Sequence, residues 1–91
     1  MASTNGSRIR ATARVDVMLK PEIADPQGQT VERALPALGW SNVSAVRVGK
    51  HLEFAVEGDS IDALCEQVEA MCERFLSNPV IESYTVTVEP S

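Results

Sequence analysis

The sequence predicts an α+β domain: a two-layer, mainly antiparallel sheet with two helices on one face, in the order β-α-β(β)-α-β. Three observations predict it. Apolar and polar residues alternate over residues 9–19, the pattern of a half-buried strand. Apolar residues recur every three or four positions in two later stretches, as on a helix with one buried face. The remaining extended stretches are also apolar on one parity only, so the sheet has a single greasy face for the helices to cover. The second helix returns the chain to a sheet that already holds the middle strand, which favours antiparallel pairing.

Bulk properties set the bounds. At 91 residues the chain holds one domain, placed at 9–91, behind a small, polar, unpatterned tail at 1–8. A domain this small buries only roughly 60–65% of its unfolded surface, so burial against a partner would help it. The net charge is −5 and the pI is about 4.7. That argues against a nucleic-acid surface or an anionic membrane as partner. No apolar run approaches the roughly 20 residues of a membrane span, and the first residues lack the apolar core of an export signal. The two cysteines, Cys65 and Cys72, fall seven residues apart in the second predicted helix. A rise of about 10.5 Å separates them, too far for a mutual disulfide. A reduced, cytoplasmic protein is the expectation.

In the first strand Ile9, Ala11, Ala13, Val15, Val17 and Leu19 share one side. Pro21 lacks an N–H and pushes Lys20 towards an extended conformation, so the strand stops near Lys20. Asp25-Pro26 reads as a helix start, with the carboxylate capping the first turn and the proline at the first helical position. Gly28 keeps this turn open to close approach by another backbone or a ligand. The first helix spans about Pro26 to Leu38 on the stripe Val31, Ala34, Leu35 and Leu38; Pro36 predicts a kink or an early end. Gly39 suits a left-handed cap, and Trp40 is expected to fold back on the last turn.

The next extended region, 43–57, keeps Val46, Val48, Leu52, Phe54 and Val56 on one parity across Gly49-Lys50. Two arrangements preserve that parity: a hairpin with a three-residue Gly49-Lys50-His51 loop, or one long strand bent or bulged at Gly49. Asp59 or Ser60 caps a second helix that runs to about Leu76. Its stripe is Ile61, Leu64, Cys65, Val68, Met71, Cys72, Phe75 and Leu76. Ser77-Asn78-Pro79 stops it. A last strand covers 80–89, with Val80, Tyr84, Val86 and Val88 on one face.

The search for chemistry finds no catalytic set. His51, the lone histidine, reads as an ordinary surface residue on a turn or bend. With Cys65 and Cys72 it forms no ligand spacing for a metal; the two thiols read as free core side chains. Glu66, Glu69 and Glu73 read as a solvated helix face. No phosphate-cradling glycine loop is present. The loop 20–29 lacks the arginine an acylphosphatase-type enzyme would need, and the open sheet face lacks the aromatics of an RNA-binding sheet. A binding or assembly role is the better expectation.

Particular stretches carry a resemblance: Val17-Met18-Leu19-Lys20-Pro21, Asp25-Pro26-Gln27-Gly28-Gln29-Thr30-Val31, Ala34-Leu35, Leu38-Gly39, Val46-Arg47-Val48-Gly49-Lys50 and Ser77-Asn78-Pro79-Val80-Ile81-Glu82. In this order the chain resembles the small, PurS-type subunit of phosphoribosylformylglycinamidine synthase. The resemblance implies a PurS-like fold and a subunit with no catalytic residues, metal or cofactor of its own. It implies partnership with a glutaminase subunit and a large synthetase subunit, in a complex that uses ATP, Mg and glutamine. It further implies support of ammonia transfer between their active sites, and a homodimer or tetramer built through sheets. The candidate interface residues are Lys20, Pro21, Asp25, Pro26 and Gly28 in the loop, with Arg47, Gly49 and Lys50 at the bend. A stand-alone regulatory domain of the ACT type, which shares the element order and an Asp and a Gly near the first loop, is the competing expectation.

Overall fold

The structure, a computed structural model, describes residues 8–91. The expected tail therefore lies outside the described residues except for Arg8, whose Nη2 donates to the Glu57 carbonyl at 3.1 Å. Three antiparallel strands form one sheet in the order β2-β1-β3: β1 at Ile9–Leu19, β2 at Gly49–Gly58 and β3 at Glu82–Pro90. α1 spans Pro26–Ala34 and α2 spans Ile61–Met71. The α+β, two-layer expectation holds.

β1 is central, and its alternation decides the core. Ala11, Ala13, Val15 and Val17 are buried, each on the same side. In register they meet residues of matching polarity: Val15 faces Leu52 on β2 and Val86 on β3, while Ala13 faces Phe54 and Val88. α2 lies over this side and adds Leu64 and Val68 to the core, with Cys72 just past its end. Each large apolar side chain so buried contributes about 1.5–3 kcal/mol. Ser60 is the helix cap, its Oγ accepting from the Ala63 N–H at 3.0 Å. The other face of the sheet is polar, with Arg10 opposite Glu57, Arg14 opposite Glu53 and Asp16 opposite His51.

Four local expectations change. Residues 43–48 are not strand; sheet pairing begins at Gly49. Gly49 therefore starts β2, and neither bends a longer strand nor turns a hairpin. The reason is that Ala45 adopts a left-handed φ of 59°, and the Val46 and Val48 N–H groups donate to side-chain carboxylates instead of to a neighbouring strand. The first helix ends early, at Ala34, as Pro36 predicts, and Pro36–Leu38 tightens into a 3₁₀ turn. Gly39 (φ 107°) and Trp40 then close it, their N–H groups bonding back to the Pro36 and Leu35 carbonyls at 3.1 Å each. That is the two-bond glycine cap of a helix end. The Trp40 backbone folds back as expected, but its side chain stays exposed.

The second helix does reach Leu76, by way of a π turn at Cys72–Leu76. The wider turn takes more residues per revolution, so Leu76 remains half-buried while Phe75 swings out of the stripe to 86% exposure. The last strand begins at Glu82, not at residue 80. The Ile81 and Glu82 N–H groups bond to the Asn78 carbonyl at 3.0 and 2.7 Å, forming a turn that leaves Val80 exposed.

Candidate functional site

The shaped loop and the segment before β2 meet at one carboxylate. Asp25 caps α1 through Oδ1, which accepts from the Gly28 N–H at 2.9 Å. Its Oδ2 accepts from the Val48 N–H at 2.8 Å, across 23 residues of chain. The side chain is buried, yet both oxygens are satisfied, which is what keeps a buried carboxylate affordable in free energy. Those two N–H donors hold its carboxyl below the usual value of 3.8; burial opposes them, and the Arg47 charge adds a smaller pull in the same direction. Asp25 is thus an ionised tie between two segments, not a group poised to trade protons near neutrality.

Arg47 completes the tie. Its Nη2 donates to the carbonyls of Leu19, Lys20 and Ile23 at 3.3, 2.9 and 3.2 Å, and its Nε stands 3.9 Å from Asp25 Oδ2. These carbonyls belong to the stretch where Pro21 ends the strand, and the Lys20 carbonyl also accepts from the Ile23 N–H at 2.9 Å. Gly28 is needed for close approach: a Cβ there would press into the Val46 carbonyl oxygen and the Asp25 carboxylate. The backbone that comes close is the chain's own.

Of the eight candidate residues, six line two adjoining hollows that share the Asp25 wall. Pro21, Asp25 and Arg47 line one. Asp25, Pro26, Gly49 and Lys50 line the other, with Gln27 and Glu82. Gly28 is buried inside the junction. Lys20 lines neither hollow; its N–H donates to the Ile81 carbonyl at 2.9 Å, and its carbonyl accepts from Arg47. Lys50 is exposed at the start of β2, opposite Val17.

Sequence reasoning missed one member. Glu32, on α1, accepts the Val46 N–H at 3.0 Å and so ties the helix to the segment before β2. Nothing local to Glu32 signals this, because its partner lies 14 residues away in a stretch read as strand. Arg47, a candidate interface residue, is fastened to backbone carbonyls of its own chain. Among the described residues no cluster of three His, Cys, Asp or Glu side chains is placed to hold a metal. Tyr84 donates to Glu73 Oε2 at 2.6 Å, and this bond pushes its phenol up to about 12.

A junction whose polar groups satisfy one another does structural work, and it leaves charge and apolar surface presented around it. Fold and site together define a small α+β module that offers surfaces. Comparison with known proteins agrees. A family model, PurS of phosphoribosylformylglycinamidine (FGAM) synthase, matches residues 12–90. The PurS subunit of Methanocaldococcus jannaschii is 40% identical over 77 residues, covering 85% of this chain and 93% of that one. That of Mycobacterium leprae is 43% identical over 79 residues, covering 87% and 96%. Among solved structures, a chain of the PurLQS structure from Thermotoga maritima superposes with a TM-score of 0.80 at 33% identity, covering 87% of this chain and 96% of that one. This chain belongs to the PurS family of FGAM synthase subunits, which serve purine biosynthesis.

Proposed function

We propose that this chain bridges a glutaminase subunit and a large ATP-dependent synthetase subunit of FGAM synthase, supporting ammonia transfer between them. The observation that carries the reading is the surface left around the Asp25 junction. Lys50 stands exposed beside it, and α1 with its cap leaves Val31, Leu38 and Trp40 exposed although they are apolar. Apolar surface of this kind is what an assembly interface buries. The Thermotoga relative, whose structure is of PurLQS, supports the same reading. The chain supplies no catalytic group; the complex as a whole uses ATP, Mg and glutamine, in the cytoplasm. A homodimer or tetramer is the expected form of the free subunit, meeting through sheet edges or the open sheet face.

The ACT-type alternative loses its anchor in the structure. Asp25, the loop Asp that such a domain shares, is buried and spends its two oxygens on tying two segments of its own backbone together.

Size-exclusion chromatography with light scattering tests the proposal. Run with the glutaminase and synthetase subunits, glutamine and ADP, the chain should co-elute as one larger species. Elution apart under every ligand condition would overturn it. Lys50→Glu should weaken co-elution while far-UV circular dichroism stays unchanged; unaltered assembly would return Lys50 to plain solvated surface.

A further inference from the structure

The lone histidine of the sequence lies outside the junction, on the polar face of the sheet. His51 stands directly opposite Asp16 in the β1–β2 register. Its Nδ1 is 2.6 Å from Asp16 Oδ1, and its Nε2 is 2.8 Å from Glu53 Oε2. A neutral imidazole carries one N–H and can donate to only one of these carboxylates; the imidazolium carries two. Both contacts can be hydrogen bonds at the same time only when the ring is protonated. Arg14 reaches the same cluster from β1, with its Nε 3.5 Å from Glu53 and its Nη1 paired to Glu89 of β3. β3 otherwise presents Thr85 opposite Asp16 and Thr87 opposite Arg14, neither of which titrates in this range.

We propose that His51 is a proton-dependent clamp between the central strand and the edge strand. Protonated, it ties Asp16 of β1 to Glu53 of β2. Deprotonated, it releases one of the two carboxylates, and the open face gains one unit of negative charge. The clamp adjoins Lys50, the exposed residue at the start of β2, so its state bears on the pairing of that end of the strand.

The bonds to Asp16 and Glu53 act in the required direction. Together they raise the ring's affinity for its proton above the usual value of 6.5, against a smaller opposing effect of burial. A group whose folded value is raised contributes stability that is complete below its unfolded value and is lost as pH rises through its folded value. The loss should thus fall above pH 6.5.

Because the sequence has one histidine, its Cε1 proton gives a single titrating NMR signal in the full chain. Its midpoint should lie above 6.5, and should fall towards 6.5 in Asp16→Asn and in Glu53→Gln. Wild-type thermal stability should drop across that midpoint, and His51→Gln should remove the drop. A wild-type midpoint at or below 6.5 would overturn the clamp. So would a midpoint that neither carboxylate variant moves, or a stability profile that His51→Gln leaves unchanged.

Discussion

Two helices of this chain carry apolar stripes at similar spacing, and the fold treats them in opposite ways. α2 and the turn that continues it bury Leu64, Val68 and Cys72 almost completely against the sheet. α1 buries only Gly28, while Val31 is 43% exposed and Leu38, in the turn that follows, 67%. The cause lies in how each is connected. α2 follows β2 after the two residues Asp59 and Ser60, so the chain must double back across the sheet it has just left. α1 follows a loop held down by Asp25 and Arg47, is fastened through its first turn and Glu32, and is cut short at Pro36. A stripe states that one helix face is apolar. Which surface covers it is set by the geometry of the connections, and in a subunit the cover can come from another chain.

The sharpest way to break this contrast is to put a charge on the buried stripe of α2. Val68→Asp places an unpaired carboxylate in the core and should abolish the fold, a loss above about 4 kcal/mol. A cooperative unfolding transition like that of wild type would show α2 to be misplaced. Gly28→Ala comes next. It forces the Val46 carbonyl and the Asp25 carboxylate apart and should cost about 1–3 kcal/mol in chemical denaturation. An unchanged midpoint would mean that the junction yields freely.

Asp25 gives the junction a pH signature. Its folded value is depressed, so its contribution is present above the unfolded value of 3.8 and is lost as pH falls through the lower folded value. In Asp25→Asn that part of the acid-unfolding profile should flatten, followed by tryptophan fluorescence; an identical acid profile would remove Asp25 from the tie. The smallest effect on the fold is expected at the far end of the contrast. Leu38→Ser should change stability by no more than about 0.5 kcal/mol, yet should weaken co-elution with the partner subunits. A large stability loss would show that Leu38 is covered within its own chain.

Much of the architecture was legible in the residues because it rests on local rules. The β1 alternation put Ala11, Ala13, Val15 and Val17 inside, as they are. Asp25-Pro26, Pro36 and Gly39 marked caps and breaks whose chemistry acts within a turn or two. The errors fall where a distant partner outweighs local pattern. Val46 and Val48 have strand parity, but their N–H groups are taken by Glu32 and Asp25. Phe75 keeps helical spacing, but the π turn changes the count of residues per revolution. His51 had no pattern to mark it, because its two carboxylate partners are set by strand register and by the alternation along β2.

By itself the sequence determined the element order, the two faces of the sheet, the helix starts and stops, and the family, since each is encoded in spacing and residue type along a short stretch. Only the tertiary structure decided where β2 begins, that the loop and the segment before it close on Asp25 and Arg47, that His51 bridges two carboxylates, and that α1's stripe stays open. Those features depend on contacts between residues far apart in the chain, and a hydrogen bond or a buried face exists only once both of its sides have been brought together.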